Sequence, residues 1–270
     1  MWPRKSDRRA AARGSLVVLT GASSGIGRAL AFQLAERGFS LGLIDRDEEG
    51  LRAVTGELKT LGAAVHAESA DVRDSAQVQT SVRRIEESLG ATETLVACAG
   101  VGTLSNCLEL DVEGFRRMLE VNVLGVAHTI EAVLPGMFAR GSGHLVGISS
   151  VAAFRGLPWM PGYSASKAAL ATYLEGLRPA LERRGVLVST VYPGFVRTAM
   201  TVDTPFRKPV PMLEPEQAAR HIARVVLRRP RDYCFPLSTR IGMGLLRRLP
   251  DRLFDRCMKK AGPRALTTEF

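Results

Sequence analysis

The chain has 270 residues, four cysteines and a formal net charge of +10, enough length for one sizeable α/β domain with ample core. The cysteines (98, 107, 234 and 257) show neither metal spacing nor a disulfide framework, which suits a reducing compartment and a cytoplasmic protein with no bound metal. No apolar stretch approaches the ~18–20 residues of a membrane span, and no internal repeat or low-complexity linker divides the chain.

Residues 1–14 are basic and lack the apolar centre of a secretory signal, so a disordered leader is expected there. Leu16-Val-Val-Leu19 is a short apolar run. It leads into Thr20-Gly-Ala-Ser-Ser-Gly-Ile-Gly27 and then the helical pattern Arg28 to Arg37. Strand, glycine-rich turn and helix is the context in which such a turn binds a dinucleotide. Gly21 allows the tight turn, Gly25 lets the backbone approach a pyrophosphate, and Gly27 permits close helix–strand packing. A helix starting near Gly25 aims its free N–H groups and positive dipole end at that phosphate. Thr20, Ser23, Ser24 and Ile26 complete the candidate cradle. The plain alternative for this segment alone is an ordinary glycine-rich loop. Gly38 is expected to cap the helix.

The next strand, Ser40-Leu-Gly-Leu-Ile44, runs into Asp45 and Arg46. An acidic side chain at this distance from the last glycine accepts from the adenosine ribose hydroxyls and repels a 2′-phosphate, so NAD is favoured. Arg46 leaves NADP open, because its guanidinium can stack on adenine or pair with that phosphate. A third unit follows: the strand Ala64 to Ser69, then Asp71-Val72 at its tip, and a polar helix from Asp74 to Leu89. Asp71 is a candidate for the adenine amino group, with a helix-start or turn residue nearly as good a reading. A fourth apolar segment, Thr94-Leu-Val-Ala97, ends in Cys98-Ala99-Gly100. Strands alternating with helices in this way give a parallel, doubly wound sheet with its ligand along the carboxyl ends of the strands.

Ser150 stands at the end of the apolar run His144-Leu-Val-Gly-Ile148, and thirteen residues later comes Tyr163-Ser-Ala-Ser-Lys167. Tyr163 and Lys167, four apart, share one helix face. A phenol with a pKa near ~10 is a poor acid or base at neutral pH. A nearby ammonium is expected to pull it down, and a strand-end hydroxyl at Ser150 to address the same reacting oxygen. Alone, a Tyr-x-x-x-Lys pair is most often a pair of surface residues.

With the glycine turn, Asp71-Val72, Asn122, Ser150, Tyr163, Lys167 and Pro193-Gly194 all in order, the chain resembles the short-chain dehydrogenase/reductase family over roughly Ser15 to Pro236. The resemblance implies a single Rossmann-type doubly wound parallel sheet of about seven strands over 15–236; beyond it, 237–270 reads from its own spacing as a short helical extension. It also implies a catalytic tetrad at Asn122, Ser150, Tyr163 and Lys167. Tyr163 would be the general acid in reduction and the general base in oxidation. Lys167 would lower the tyrosine pKa and hold the nicotinamide ribose, and Ser150 would stabilise charge on the substrate oxygen. Asn122, in Glu120-Val-Asn-Val-Leu124, would interrupt its helix and hold a water that relays protons to Lys167. Ala99 and Gly100 would floor the cofactor. In Tyr192-Pro-Gly-Phe-Val-Arg-Thr198, Pro193, Gly194, Val196 and Thr198 would grip the nicotinamide amide. One departure is plain: the family usually carries Asn-Asn-Ala-Gly where this chain has Ala97-Cys98-Ala99-Gly100. A changed local hydrogen-bond pattern and slightly weaker cofactor binding are expected, with Cys98 a small core residue and not a redox thiol.

From Arg228 to Arg264 stand eleven lysines and arginines against three aspartates. Ile241, Leu245, Leu246, Leu249, Leu253, Phe254 and Met258 recur there at helical spacing, and Pro250 splits them into two short helices. The bland reading is a helical appendage packed on the domain with a solvated basic face; the sharper one is a lipid-facing amphipathic element that touches anionic membranes or admits lipophilic substrate. Aromatics are few in this charged stretch (Tyr233, Phe235 and Phe254), so nucleic acid is not expected. The lid from Thr198 to Met212 carries Met200, Phe206, Val210 and Met212, consistent with an apolar pocket. With the strand Asp232-Tyr-Cys-Phe235 passing into Pro236 and these helices, the chain looks more like family members that act on steroids, retinoids or other lipophilic alcohols and ketones. The family suggests a homodimer through the two long helices ending near Arg140 and Arg184; a tetramer is disfavoured without the usual last strand. The competing reading is a catalytically idle nucleotide sensor or scaffold, against which Ser150, Tyr163 and Lys167 argue. A nucleotide-sugar epimerase or dehydratase would need a different glycine turn and a larger C-terminal domain.

Overall fold

The opening apolar run becomes β1 (Leu16–Thr20), whose five residues are all buried. A strand that hides both faces reads as a continuous apolar run, and that marks the middle of a parallel sheet. The computed structural model describes residues 14–103, 110–201 and 212–261. The leader 1–13, Cys107, and Phe206 and Val210 of the expected lid lie outside the described residues.

After β1 come α1 (Gly25–Ala35), β2 (Ser40–Asp45), α2 (Glu48–Thr60), β3 (Val65–Ser69), α3 (Ser75–Leu89) and β4 (Thr92–Ala97). Aspartates start three of the helices. Asp47 accepts from Gly50 N–H at 3.1 Å, Asp74 from Gln77 N–H at 3.1 Å, and Asp111 from Gly114 N–H at 2.7 Å, each satisfying an orphan donor of a first turn. The end of α1 differs from expectation. Glu36 caps the helix, and Gly38, at φ +79°, closes the tight turn after it by donating to the Ala35 carbonyl at 2.8 Å.

The second half runs α4 (Val112–Leu119), a π-helical turn (Glu120–Leu124), α5 (Gly125–Arg140), β5 (Gly143–Ile148), a 3₁₀ turn (Val151–Phe154), α6 (Pro161–Glu182), β6 (Val186–Pro193), α7 (Pro215–Arg228) and β7 (Asp232–Phe235). Contrary to the expectation that nothing is long enough to span a bilayer, Val112–Arg140 is 29 residues of helix with the length and composition to do so. Its apolar side is spent on the sheet: Val121, Val126, Ile130, Val133 and Met137 are all buried.

All seven strands are parallel, in the order β3-β2-β1-β4-β5-β6-β7. The order reverses between β1 and β4, which opens a crevice at their carboxyl ends. One core layer packs Leu30 and Leu34 of α1 and Ile222 and Val226 of α7 on the sheet. The opposite layer packs Val78 and Ile85 of α3, Val133 and Met137 of α5, and Leu170 and Leu174 of α6. Each fully buried leucine contributes roughly 2 kcal/mol of transfer free energy. Arg178 of α6 donates to the Arg231 carbonyl at 3.1 Å and pairs with Asp232 at 3.3 Å, fastening the tyrosine-bearing helix to β7.

The basic tail folds as α8 (Leu237–Arg248) and α9 (Asp251–Ala261), parted at Pro250 as expected. Phe254 and Met258, with the partly buried Leu246 and Leu249, form a third cluster with Val151, Ala152, Leu157 and Trp159.

Candidate active site

The strand ends converge on a cleft of about 650 Å³, a size usual for small-molecule sites. On one side lies the turn after β1, with Gly21, Gly25 and Gly27. A Cβ at Gly21 would lie 2.8 Å from Ala99 Cα, and one at Gly27 would lie 1.9 Å from the Gly21 carbonyl oxygen. No side chain fits at either position, so the start of α1 stays open to an approaching anion.

Asp45, at the tip of β2, accepts from Ser23 N–H at 2.9 Å and from Asp47 N–H at 3.1 Å. Its carboxylate is therefore fixed across the glycine turn, with Arg46 beside it on the wall of the cleft. Asp71 also lines the cleft, but its carboxylate is engaged by the Arg73 guanidinium at 2.7 Å. That hydrogen bond holds its pKa below the usual carboxylate range. Glycine turn, fixed carboxylate and helix N-terminus together fit a dinucleotide.

On the other side stand Ser150, Tyr163 and Lys167. β5 ends in Ile148, and Ser150 begins the 3₁₀ turn with its hydroxyl accepting from Ala152 N–H at 3.1 Å. Pro161 opens α6, which carries Tyr163 and Lys167 on one face. Lys167 donates from Nζ to the Ile148 carbonyl at 2.9 Å, and Ser149 donates to the Lys167 carbonyl at 2.8 Å. The helix is thus bolted to the strand end. Lys167 Nζ lies 5.7 Å from the centre of the Tyr163 ring, and the phenol shares a hydrogen bond with Ser150.

The expected lowering of the Tyr163 pKa by Lys167 is not found. Burial pushes the phenol up, and only the Ser150 hydrogen bond opposes it. Burial likewise pushes Lys167 down, to about 8. Both groups are desolvated by the same walls, which penalises phenolate and ammonium alike.

Of the remaining expected residues, Ser24, Gly25, Ile26, Val72, Ala99, Gly100, Pro193, Gly194, Val196 and Thr198 line the cleft. Thr198 reaches across to the glycine turn: its methyl would be 3.2 Å from a Cβ at Gly25. Two do not line it. The Thr20 hydroxyl accepts from the N–H groups of Cys98 and Ala99 at 3.1 and 3.2 Å, bracing β1 to β4 where the family's asparagines are missing. Asn122 is fully buried in the π-helical turn. It exchanges two 2.9 Å hydrogen bonds with the backbone of Val101 and donates to Ser166 at 3.0 Å. Cys98 is partly buried against the core, its thiol pushed up to about 12 by burial.

Several cleft residues escape sequence reasoning. Gly102 packs so close that a Cβ there would be 2.8 Å from the Tyr163 ring and 3.0 Å from the Met200 sulfur. Leu157, Trp159 and Met160 enter from the loop before α6, where they join Leu246 and Met258 of α8 and α9, two residues already marked by the helical spacing of the tail. The apolar run in Leu157-Pro-Trp-Met-Pro161 was the one available signal.

A crevice that fits a dinucleotide, with Ser150, Tyr163 and Lys167 in the same cleft, is the arrangement of a class: an NAD(P)-dependent oxidoreductase on a Rossmann-type sheet. The short chain dehydrogenase family model matches residues 15–207, and the chain belongs to that family. An uncharacterized oxidoreductase of Myxococcus xanthus is 37% identical over 243 residues, covering 90% of this chain and 96% of its own length. The 17-beta-hydroxysteroid dehydrogenase 13 of Rattus norvegicus is 31% identical over 250 residues, covering 92% and 83%. Among solved structures, a short chain dehydrogenase/reductase from Burkholderia phymatum in complex with NAD superposes with a TM-score of 0.79 at 28% identity, covering 91% of this chain and 95% of that one. An alcohol dehydrogenase from Thermococcus sibiricus complexed with 5-hydroxy-NADP gives 0.73 at 28% identity, covering 82% and 94%.

Proposed function

We propose that the protein interconverts a lipophilic secondary alcohol and its ketone, with NAD favoured over NADP and Tyr163 as the acid–base group. The observation that carries this reading is the meeting of Ser150, Tyr163 and Lys167 in the cleft that begins at the Gly21–Gly27 turn. When bound, the coenzyme supplies or accepts the hydride. The glycine turn and the start of α1 hold its pyrophosphate, and Asp45 accepts from its ribose hydroxyls. Pro193, Gly194, Val196 and Thr198 border the nicotinamide end. A carboxylate at Asp45 disfavours a 2′-phosphate, while Arg46 keeps NADP within reach.

In reduction the Tyr163 hydroxyl donates its proton to the substrate oxygen as negative charge develops there, and the Ser150 hydroxyl donates a hydrogen bond to it. A phenol raised by burial stands protonated at neutral pH, the state this step requires. Lys167, at about 8, is close enough to working pH to replace that proton. Asn122 holds the floor loop at Val101 against α6 through Ser166. In oxidation the proton path reverses.

The lipophilic substrate is supported by the walls: Val151, Leu157, Trp159, Met200, Leu246 and Met258 surround the space beyond Tyr163. A steroid dehydrogenase among the relatives points the same way. A homodimer through α5 and α6 is supported by the apolar groove of Leu134, Phe138, Tyr173 and Leu177 on those helices. Free thiols at Cys98, Cys234 and Cys257 suit a cytoplasmic location. The test is purified protein with NAD(H) and a panel of steroid, retinoid and long-chain alcohols and ketones, followed by nicotinamide absorbance, with Tyr163→Phe as control. Coenzyme binding without turnover on any of them would overturn the reading.

A further inference from the structure

The helices α8 and α9 have two working faces. Inward, Leu246 and Met258 form part of the cavity wall, and Phe254 packs beside them. Outward, α8 carries Leu237, Ile241 and Leu245, which are 64%, 55% and 62% exposed. Spaced four apart, they form one continuous stripe on the side opposite Leu246. Arg240, Arg247 and Arg248 stand exposed on the same helix, and on α9 Leu253, 43% exposed, lies between exposed Arg252 and Arg256. Among the described residues none of these five arginines is ion-paired. Exposed leucines scattered singly need no explanation, but a stripe of three flanked by unpaired cations does.

We propose that α8–α9 seats the protein on an anionic lipid bilayer and is the wall through which a lipid-dissolved substrate reaches the cleft. An amphipathic helix with an apolar stripe and arginines beside it lies in the headgroup layer, its apolar side in the acyl boundary and its cations on lipid phosphates. The positive charge selects this occupant over a neutral protein surface. The cavity side of the same helices is apolar, so a molecule leaving the bilayer meets Leu246 and Met258 before Tyr163. This deepens the lipophilic-substrate reading and rests on it only for what enters, not for the docking itself.

The test is flotation of the full chain with vesicles of phosphatidylcholine plus phosphatidylglycerol, against phosphatidylcholine alone. Wild type is expected to float with the anionic vesicles and to be released as salt is raised. Ile241→Asp with Leu245→Asp, both outside the cleft, is expected to lower partitioning by about tenfold or more with unchanged melting temperature and NADH affinity. Arg247→Ser with Arg248→Ser is expected to lose the preference for anionic vesicles. If the protein turns over, the Asp pair should raise KM for a vesicle-dissolved secondary alcohol and leave KM for a short water-soluble one unchanged. Wild type that ignores both vesicles, or an Asp pair that floats as well as wild type, would overturn the proposal. So would an Asp pair that instead changes the subunit count in solution, which would make the stripe an interface between copies. Vesicle binding needs no turnover, so an inert enzyme that floats would sink the oxidoreductase reading and leave the docking standing.

Discussion

The Arg155 guanidinium lies over the ring of Phe254, 3.9 Å from its centre, and also donates to the carbonyls of Leu246 and Leu249 and to the Asp251 carboxylate. A single side chain, just past the turn that Ser150 begins, thus gathers the end of α8 and the start of α9. Arg155→Ala is expected to destabilise the fold by about 2–4 kcal/mol, the sum of a cation–π contact and charged hydrogen bonds that are only partly solvated. It should also raise KM for lipophilic substrates more than it lowers kcat, because the cavity wall loosens while Ser150 and Tyr163 stay. Urea unfolding and steady-state kinetics read the two effects separately; an unchanged midpoint and KM would show the contact to be idle.

Tyr163→Phe removes the transferable proton and little else. A loss of about 10²–10⁴ in kcat is expected, with coenzyme affinity within a few-fold of wild type. Residual turnover near the wild-type rate would move the acid–base role to another group.

Alcohol oxidation needs the phenolate, and burial holds the Tyr163 pKa above its ordinary value. Its kcat/KM should therefore climb with pH without levelling below pH ~10, while ketone reduction stays level over the neutral range. A plateau in oxidation near neutrality would mean that the bound state reverses the effect of burial.

Asp45 is fixed by two backbone N–H groups, so it presents one oriented carboxylate to a ribose. Asp45→Ala should weaken NAD binding by about tenfold to a hundredfold, the loss of one or two charge-assisted hydrogen bonds. NADP binding should strengthen as a repulsion disappears. Isothermal titration with both coenzymes decides it, and a parallel loss of both affinities would count against a role in selection.

Lys167 carries a pKa of about 8 in the folded protein against 10.5 for an unburied lysine. Between those values the unfolded chain holds a proton that the folded chain has released, so stability rises as pH increases across that window. The gain is on the order of 3 kcal/mol. Denaturation series from neutral to strongly alkaline pH should show that slope in wild type and lose it in Lys167→Met; a slope that survives the substitution belongs to other groups.

The strands, the glycine turn and the break at Pro250 were readable in the chain because each follows from local pattern: apolar runs, backbone geometry, a missing N–H. The Asp45 position was readable for the same reason, as it closes a unit of fixed length. What depended on distant parts was not. The Tyr163–Lys167 spacing is local, yet the direction of the phenol shift is decided by desolvation, and Trp159 and Gly102 enter the cleft from loops with no periodicity. The end of α1 was misplaced at Gly38 because a left-handed glycine marks a turn as readily as a cap. Asp71 carries two readings in the sequence, and the contact that engages its carboxylate, Arg73 two positions on, is not marked by any local pattern.

The Asn122 carboxamide supplies the backbone of Val101 with one donor and one acceptor. The remaining N–H of that amide reaches Ser166, whose hydroxyl returns to the Tyr163 carbonyl at 2.8 Å. Loop and helix are thereby cross-braced through a planar group that no isosteric acid can imitate. Aspartate would turn two lone pairs toward the Val101 carbonyl, so even a one-atom change at this position would unlatch the loop from the tyrosine's own backbone.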